Sequence, residues 1–282
     1  MNLEFTACGS CGTINRRIFL SAGDFTYTRC RACGLVYQNP RYTFEHLKKK
    51  VYVKKYFHYE FRNQDNFFNL MRLNLRDFGF NRIVGEKGRG RRFLDIGSAT
   101  GLLLNHMKGL GWKTEGVELC RESADYACGQ FGLKIHRTTL EETAFPGGRF
   151  DAVHMSHIIE HVPDPAGTLS EVYRVLKPAG HLMIVTPNVE SFQAHVFGSR
   201  WRSAHRDHLT LFSTKTLGRY LRKAGFVVLR QFSYGGLLVD ITQKNRFLKF
   251  IKPVVDRLAK FLNWGDVTAF LCVKPGKSSV SR

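Results

Sequence analysis

The stretch Phe93–Gly101 (FLDIGSATG) decides the fold of this chain, because an acid ends an apolar strand just before a turn of small residues. The next residues, 102–110, carry apolar side chains at helical spacing. Small residues in such a turn allow a ligand to approach the backbone closely. The stretch therefore predicts a strand–turn–helix unit with a binding site at the carboxyl end of the strand.

The sequence on both sides of this unit alternates between strand-like and helix-like segments. Strand patterns lie at 93–96, 114–118, 134–136, 152–155, 181–186, 226–232 and 266–273, and helix patterns lie at 102–110, 123–131, 168–176 and 216–224. Such alternation favours an α/β fold with a Rossmann-like, doubly wound, mostly parallel sheet.

Two acids suggest which cofactor this fold binds. Glu118 ends the second strand 23 residues after Asp95, where a carboxylate can accept hydrogen bonds from ribose hydroxyls. Asp95 precedes the turn, where its charge suits a cofactor's amino group better than a pyrophosphate. Residues 93–190 are also net acidic, which suits a sulfonium cation. These features favour S-adenosylmethionine over a dinucleotide.

Several short motifs in residues 93–188 resemble the class I methyltransferases of the ubiquinone and menaquinone biosynthesis type. They read LDIGSATG at 94–101, GVE at 116–118, FDAV at 150–153, EHVPDP at 160–165 and LKPAG at 176–180. The resemblance implies cofactor-binding roles for Asp95, Gly97, Ser98, Ala99, Gly101, Glu118, Leu119, Thr139, Leu140 and Ser156.

The sequence departs from that family pattern at two positions. Ala99 stands where the family usually has a second glycine, so its methyl group is expected to tighten the turn. Thr139 stands where many members have Asp, so a hydroxyl would replace a carboxylate near the adenine amino group. Neither change removes the ribose-binding acid.

Four of the seven cysteines form two Cys-x-x-Cys pairs, Cys8/Cys11 and Cys30/Cys33, each followed by glycine. This spacing is typical of a four-thiolate zinc ribbon, and a complete set of four thiolates leaves no open position for chemistry. Two redox motifs are the alternative. The pattern also resembles the ribbon that precedes many bacterial methyltransferases of secondary metabolite and surface-saccharide pathways, and it differs from the ribbon of 23S rRNA guanine methyltransferases, where a histidine replaces one cysteine.

Histidines and an acid follow the strand at 152–155 and recur near residue 208. His157, Glu160 and His161 have a spacing that places side chains on one face of a helix. Three roles remain open for them. They could brace the chain, or His157 or His208 could act as a catalytic base, or His157, Glu160, His161 and His208 could hold a second divalent metal. The last arrangement resembles the Glu-x-x-Glu-His site of small-RNA terminal ribose methyltransferases, with His157 in place of the first Glu.

The chain is predicted to comprise a zinc ribbon at 1–40, a helical lead-in or lid at 41–90, and a methyltransferase domain at 91–282 with a basic helical insertion near 237–263. No signal-like or membrane-spanning apolar run is evident, which indicates a cytoplasmic protein, with peripheral contact to an anionic membrane as an option for the insertion.

The net charge of +20 is concentrated at the two ends. Residues 1–92 carry 18 basic and 7 acidic side chains (+11), and residues 191–282 carry 17 and 4 (+13). Such charge suits a basic surface or a polyanionic partner. The leading hypothesis is methyl transfer to a small-molecule acceptor, a saccharide, phenol or quinone-like or lipid-linked compound, at oxygen. An RNA methyltransferase and a non-catalytic binding module are the alternatives.

Overall fold

A computed structural model describes residues 2–50, 54–85, 87–235, 250 and 263–276. Its strands are β1 (Leu3–Glu4), β2 (Arg16–Ala22), β3 (Phe25–Cys30), β4 (Val36–Gln38), β5 (Arg41–Tyr42), β6 (Arg92–Ile96), β7 (Lys113–Val117), β8 (Lys134–His136), β9 (Phe150–Ser156), β10 (Leu176–Pro187), β11 (Thr210–Leu211), β12 (Val227–Tyr234) and β13 (Val267–Val273). Its α-helices are α1 (Phe44–Lys50), α2 (Lys54–Phe78), α3 (Leu102–Gly109), α4 (Arg121–Phe131), α5 (Pro165–Val175), α6 (Phe192–Phe197) and α7 (Thr214–Lys223).

The central sheet has seven strands in the order β12-β13-β10-β9-β6-β7-β8. Strands β10, β9, β6, β7 and β8 are parallel, whereas β13 runs antiparallel to both β10 and β12. The order steps outward from β6 in both directions, which makes the sheet doubly wound. The predicted fold class is confirmed.

Both faces of this sheet are buried. On β10, Leu182 and Ile184 face one apolar cluster together with Leu217 of α7, while Met183 packs into a second cluster with Phe78 of α2. Alternate residues of a strand point to opposite faces, so this division places helices on both sides of the sheet.

Local signals fix where the helices begin. The Asp164 side chain accepts hydrogen bonds from the N–H groups of Ala166 and Gly167, and Pro165 occupies the first turn of α5. At α7, Ser213 and Thr216 form a reciprocal capping box. Each cap fixes the loop that leads into its helix.

A second sheet has the order β11-β4-β3-β2. Strands β2 to β4 belong to the predicted ribbon, but β11 lies more than 170 residues further along the chain, with Thr210 opposite Tyr37 and Leu211 opposite Val36. The ribbon therefore shares its sheet with the segment that follows the main parallel strands.

The structure corrects one local expectation. Residues 157–162 form a turn and not the start of a helix, since α5 begins only at Pro165. Most of the predicted insertion at 237–263 lies outside the described residues. Among the described helices, none is long and apolar enough to cross a membrane.

Candidate active site

The turn after β6 is built on left-handed backbone. Gly97 has a φ of 74°, and a Cβ placed there would lie 2.1 Å from the Cδ1 atom of Ile158, so no larger residue fits without displacing that side chain. Ala99 also has a positive φ, 46°, which costs a residue with a side chain about 1–2 kcal/mol. The turn thus accommodates the methyl group of Ala99, at the position where the family usually has a second glycine, in a strained backbone conformation.

Glu118 connects this turn to the end of β7. Its buried carboxylate accepts hydrogen bonds from the backbone N–H of Ala99 at 2.9 Å and from that of Cys120 at 2.7 Å. A carboxylate has about four lone-pair sites, so acceptor capacity remains for two ribose hydroxyls. Burial raises the pKa of Glu118, opposed by these backbone hydrogen bonds.

A cavity of 610 Å³ opens over the carboxyl ends of β6 and β7. Five predicted cofactor residues line it, together with side chains from α1 and the start of α2 and with the loop before α5. The five are Gly97, Glu118, Leu119, Thr139 and Leu140. This volume and the polar groups at its wall suit a nucleoside cofactor.

Helices α1 and α2 also contribute to the cavity lining, through Phe44, Lys48 and Tyr56. Near Tyr56, Glu60 has a pKa raised to about 7 by burial and by the negative charge of Glu118, with a hydrogen bond from Tyr56 opposing the shift. Sequence analysis missed Glu60. The available signal was its position four residues after Tyr56, on the same helical face.

Asp95 is buried near the end of β6. It is 2% exposed, and its Oδ1 atom lies 2.7 Å from Nδ1 of His154 on the neighbouring strand β9. Burial raises the pKa of Asp95, and His154 opposes the shift through its charge and hydrogen bond. Ser98, Ala99 and Gly101 lie in the turn that follows Asp95, and Ser156 ends β9.

The predicted histidines and Glu160 meet in one cluster, although no helix brings them together. Ligand atoms of Glu160, His161 and His208 all lie within 4.8 Å of one another. Nδ1 of His157 lies 3.3 Å from Oε1 of Glu160, and Thr186 donates to Oε2 of the same carboxylate at 2.9 Å. His161 also lines the cavity, so the cluster adjoins the cofactor site.

Glu160 and His208 both have lowered pKa values, which favours the charged form of the carboxyl group and the neutral form of the imidazole. Burial raises the pKa of Glu160, but hydrogen bonding and charge from His157 and the charge of His161 outweigh it, and the net pKa is lowered. Burial lowers the pKa of His208 well below its usual range, reinforced by the charges of His161 and His205. An ionised carboxylate thus lies beside a neutral imidazole at neutral pH.

His157 has a backbone conformation that side chains rarely adopt, with a φ of 55°. Its N–H donates to the carbonyl of Val185 at 2.9 Å, and 47% of its side chain is exposed. Strained backbone of this kind is concentrated at functional sites.

The four ribbon cysteines converge near α7, whose Arg219 donates a hydrogen bond to the carbonyl of Cys33. Sγ of Cys8 lies 3.4 Å from Sγ of Cys33, and Sγ of Cys11 lies 3.6 Å from Sγ of Cys30. Tetrahedral zinc with bonds of about 2.3 Å requires sulfur atoms roughly 3.8 Å apart. The observed arrangement is therefore compatible with one four-coordinate zinc ion.

The comparison with protein families decides the class of this chain. Residues 68–231, more than half of its length, match the family model described as "Methyltransferase domain". The chain belongs to this methyltransferase family. The motifs and the sheet predicted membership of the class I S-adenosylmethionine-dependent methyltransferases, and this match confirms that prediction.

Named relatives agree with this assignment. The methyltransferase is 32% identical over 151 residues, 48% of its length, to a "Ubiquinone biosynthesis O-methyltransferase" of Aromatoleum aromaticum and 36% identical over 120 residues, 40% of its length, to one of Cereibacter sphaeroides. The matches span 64% and 49% of those relatives' own lengths. A solved SAM-dependent methyltransferase from Archaeoglobus fulgidus shares its fold, with a TM-score of 0.58 at 21% identity over 78% of this chain and 99% of the other.

Proposed function

We propose that this methyltransferase methylates a hydroxyl group of a small-molecule acceptor, with S-adenosylmethionine held by the residues around Glu118. The observation that carries the proposal is the dyad of His157 and Glu160, whose chain neighbours Ile158 and His161 line the same cavity as Glu118. A hydroxyl is a poor nucleophile until its proton is removed, and a positioned imidazole is a competent base near neutral pH. The O-methyltransferase relatives support oxygen as the acceptor atom.

For the cofactor, the chain would supply one carboxylate for the ribose and a wall of small and apolar residues for the rest. Glu118 would bind the ribose hydroxyls, Thr139 and Leu140 would lie along the adenine, and Gly97 would allow close approach at the methionine end. Leu119 completes the wall. Behind this wall, the methionine end of the site would be shaped by Asp95, Ser98, Ala99, Gly101 and Ser156. When bound, S-adenosylmethionine supplies an electrophilic methyl group.

The base would be His157. Glu160 is buried and ionised, and its Oε1 atom lies 3.3 Å from Nδ1 of His157, so it would favour the proton on that nitrogen and leave Nε2 with a free lone pair. Nε2 would take the proton of the acceptor hydroxyl as the new oxygen–carbon bond forms. The exposed side of the ring would then release that proton to water. His208, buried and neutral, is the second candidate base.

A divalent cation is the alternative use of the same cluster. Glu160, His161 and His208 form a two-histidine, one-carboxylate set of the kind that binds Mn²⁺, Fe²⁺ or Zn²⁺ with positions open to a substrate oxygen. Such a cation would lower the pKa of a bound hydroxyl. The four cysteines would hold a separate, structural zinc.

The decisive experiment follows a labelled methyl group. The purified protein is incubated with methyl-labelled S-adenosylmethionine and either a small-molecule and lipid extract or total RNA, at 50 and 200 mM salt. We expect label in the extract at both salt concentrations. RNA binding driven by the net charge of +20 would lose on the order of a thousandfold in affinity over that range. Label at one defined nucleotide that survives 200 mM salt would establish the RNA alternative instead.

A further inference from the structure

Three backbone carbonyl groups of the loop that carries His205 and His208 accept hydrogen bonds from side chains of the zinc ribbon. Residues 201–209 have no helix or strand of their own. Buried carbonyl groups in such a segment must find donors elsewhere, and leaving one without a donor costs about 1–3 kcal/mol.

Two buried side chains of the ribbon supply these donors. The Tyr27 hydroxyl lies 2.8 Å from the carbonyl oxygens of both His205 and His208. The Gln38 amide nitrogen lies 3.1, 3.0 and 2.9 Å from the carbonyl oxygens of His205, Arg206 and His208. Burial raises the pKa of Tyr27, so its phenol remains protonated and able to donate.

Two of the three carbonyls held in this way belong to His205 and His208, whose rings lie against each other. Nδ1 of His208 lies 2.8 Å from the carbonyl oxygen of Ser203, and the His208 ring centre lies 3.7 Å from that of His205 and 4.6 Å from that of His161. A shift of the loop backbone would therefore move the His208 ring, which contacts the rings of His205 and His161.

The ribbon also holds the chain segment that directly follows the loop. The N–H of Gln38 donates to the carbonyl of Leu209 at 2.9 Å, and the N–H of Thr210 donates to the carbonyl of Glu160 at 3.0 Å. One continuous hydrogen-bonded path thus runs from the ribbon through the loop to the backbone of Glu160.

We propose that Tyr27 and Gln38 are positioning residues that hold His208 and its loop against Glu160, so that the zinc ribbon forms part of the active site's framework. The catalytic consequence rests on the proposed function, because it requires the histidine cluster to take part in methyl transfer. A misplacement of about 1 Å can reduce the rate of an enzyme roughly a hundredfold.

The test compares Tyr27→Phe and Gln38→Leu with Tyr37→Phe. Tyr37 lies in the same ribbon sheet and is also buried, but its hydroxyl has no hydrogen-bond partner among the described residues. Histidine-ring NMR on the full-length zinc protein should show shifted His205 and His208 signals in the first two variants and unchanged ones in Tyr37→Phe. Melting temperature and zinc content identify any variant that fails to fold. If Tyr27→Phe fails to fold, Gln38→Leu alone decides the test.

Activity gives the second readout. The initial rate of label transfer into the extract fraction that the wild type methylates should fall roughly 10- to 100-fold in both variants, with unchanged affinity for adenosylhomocysteine. In a His208→Ala background, Tyr27→Phe should add nothing, since residues that act as a unit are not additive. Ring signals and rates equal to the wild type in both variants would overturn the proposal. A wild type that labels no extract fraction would instead refute the proposed function, and the ring signals would still test the positioning.

Discussion

The carboxylate of Glu118 accepts a hydrogen bond of 2.9 Å from the backbone N–H of Ala99, so the acid after β7 stabilises the turn after β6. This contact joins the two features from which the cofactor was inferred, the small-residue turn and the acid 23 residues beyond Asp95. It also orients the Glu118 carboxylate at the wall of the cavity.

Replacement of Glu118 by Ala should weaken binding of adenosylhomocysteine by roughly 10- to 100-fold, since hydrogen bonds to a charged group contribute about 1.5–3 kcal/mol. Methylthioadenosine contains the ribose but not the amino acid, so its affinity should fall by the same factor. Calorimetric titration of both ligands measures this. Unchanged affinity for both would remove Glu118 from the ribose site.

Zinc should be present at one ion per chain, because four thiolates complete a tetrahedral site. Cys30→Ser should lose the metal and lower the melting temperature by roughly 5 °C or more, since binding of a structural metal stabilises the folded state. Cys128→Ser is the matched control, a cysteine of α4 outside the cluster. Metal analysis that finds no zinc, together with a reversible disulfide, would favour redox motifs instead.

The parallel sheet was predictable because each strand and helix of a doubly wound unit has a local apolar pattern. The strand at 134–136 was predicted with its observed bounds, and β6 begins one residue earlier than expected. The pairing of β4 with β11 was not predictable, since β11 has only two residues and its partner is distant in sequence. Local periodicity contains no information about such a contact.

The candidate site was predictable in composition more than in geometry. The spacing of His157, Glu160 and His161 indicated a shared helical face, yet a turn brings the same side chains together. Glu60 was missed because an amphipathic pattern does not tell which buried group a helix will cover. Only the packing of α2 over the cavity places Glu60 close enough to Glu118 for its pKa to be raised.

The raised pKa of Glu60 predicts a pH-dependent stability. Because its folded pKa of about 7 lies above the ordinary value of 4.5, the folded chain binds this proton more tightly than the unfolded chain does. The contribution of Glu60 to the free energy of unfolding therefore falls as the pH rises from about 4.5 to 7. Glu60→Gln should stabilise the protein at pH 8 by on the order of 1–2 kcal/mol and have little effect at pH 4.

Urea unfolding at several pH values measures this difference. Asp65→Asn serves as the control, because Asp65 is an exposed carboxylate on the same helix. A Glu60→Gln variant whose stability relative to the wild type is the same at pH 4 and pH 8 would contradict the raised pKa.

Metal removal and substitution can distinguish the two proposed roles of the histidine cluster, base catalysis and metal binding. If His157 is the base, His157→Ala should reduce the initial rate of label transfer roughly a hundredfold, since general-base catalysis contributes about 10²–10⁴. Methyl transfer by the wild type should also persist in a chelator too weak to remove zinc from the ribbon, because a histidine base needs no cation. His195→Ala is the control, since His195 is an exposed histidine of α6 outside the cluster.

A rate abolished by the chelator and restored by Mn²⁺ would contradict the role of His157 as the base. It would assign Glu160, His161 and His208 as metal ligands. Glu160→Gln should be impaired in either case, because this carboxylate both orients His157 and belongs to the ligand set.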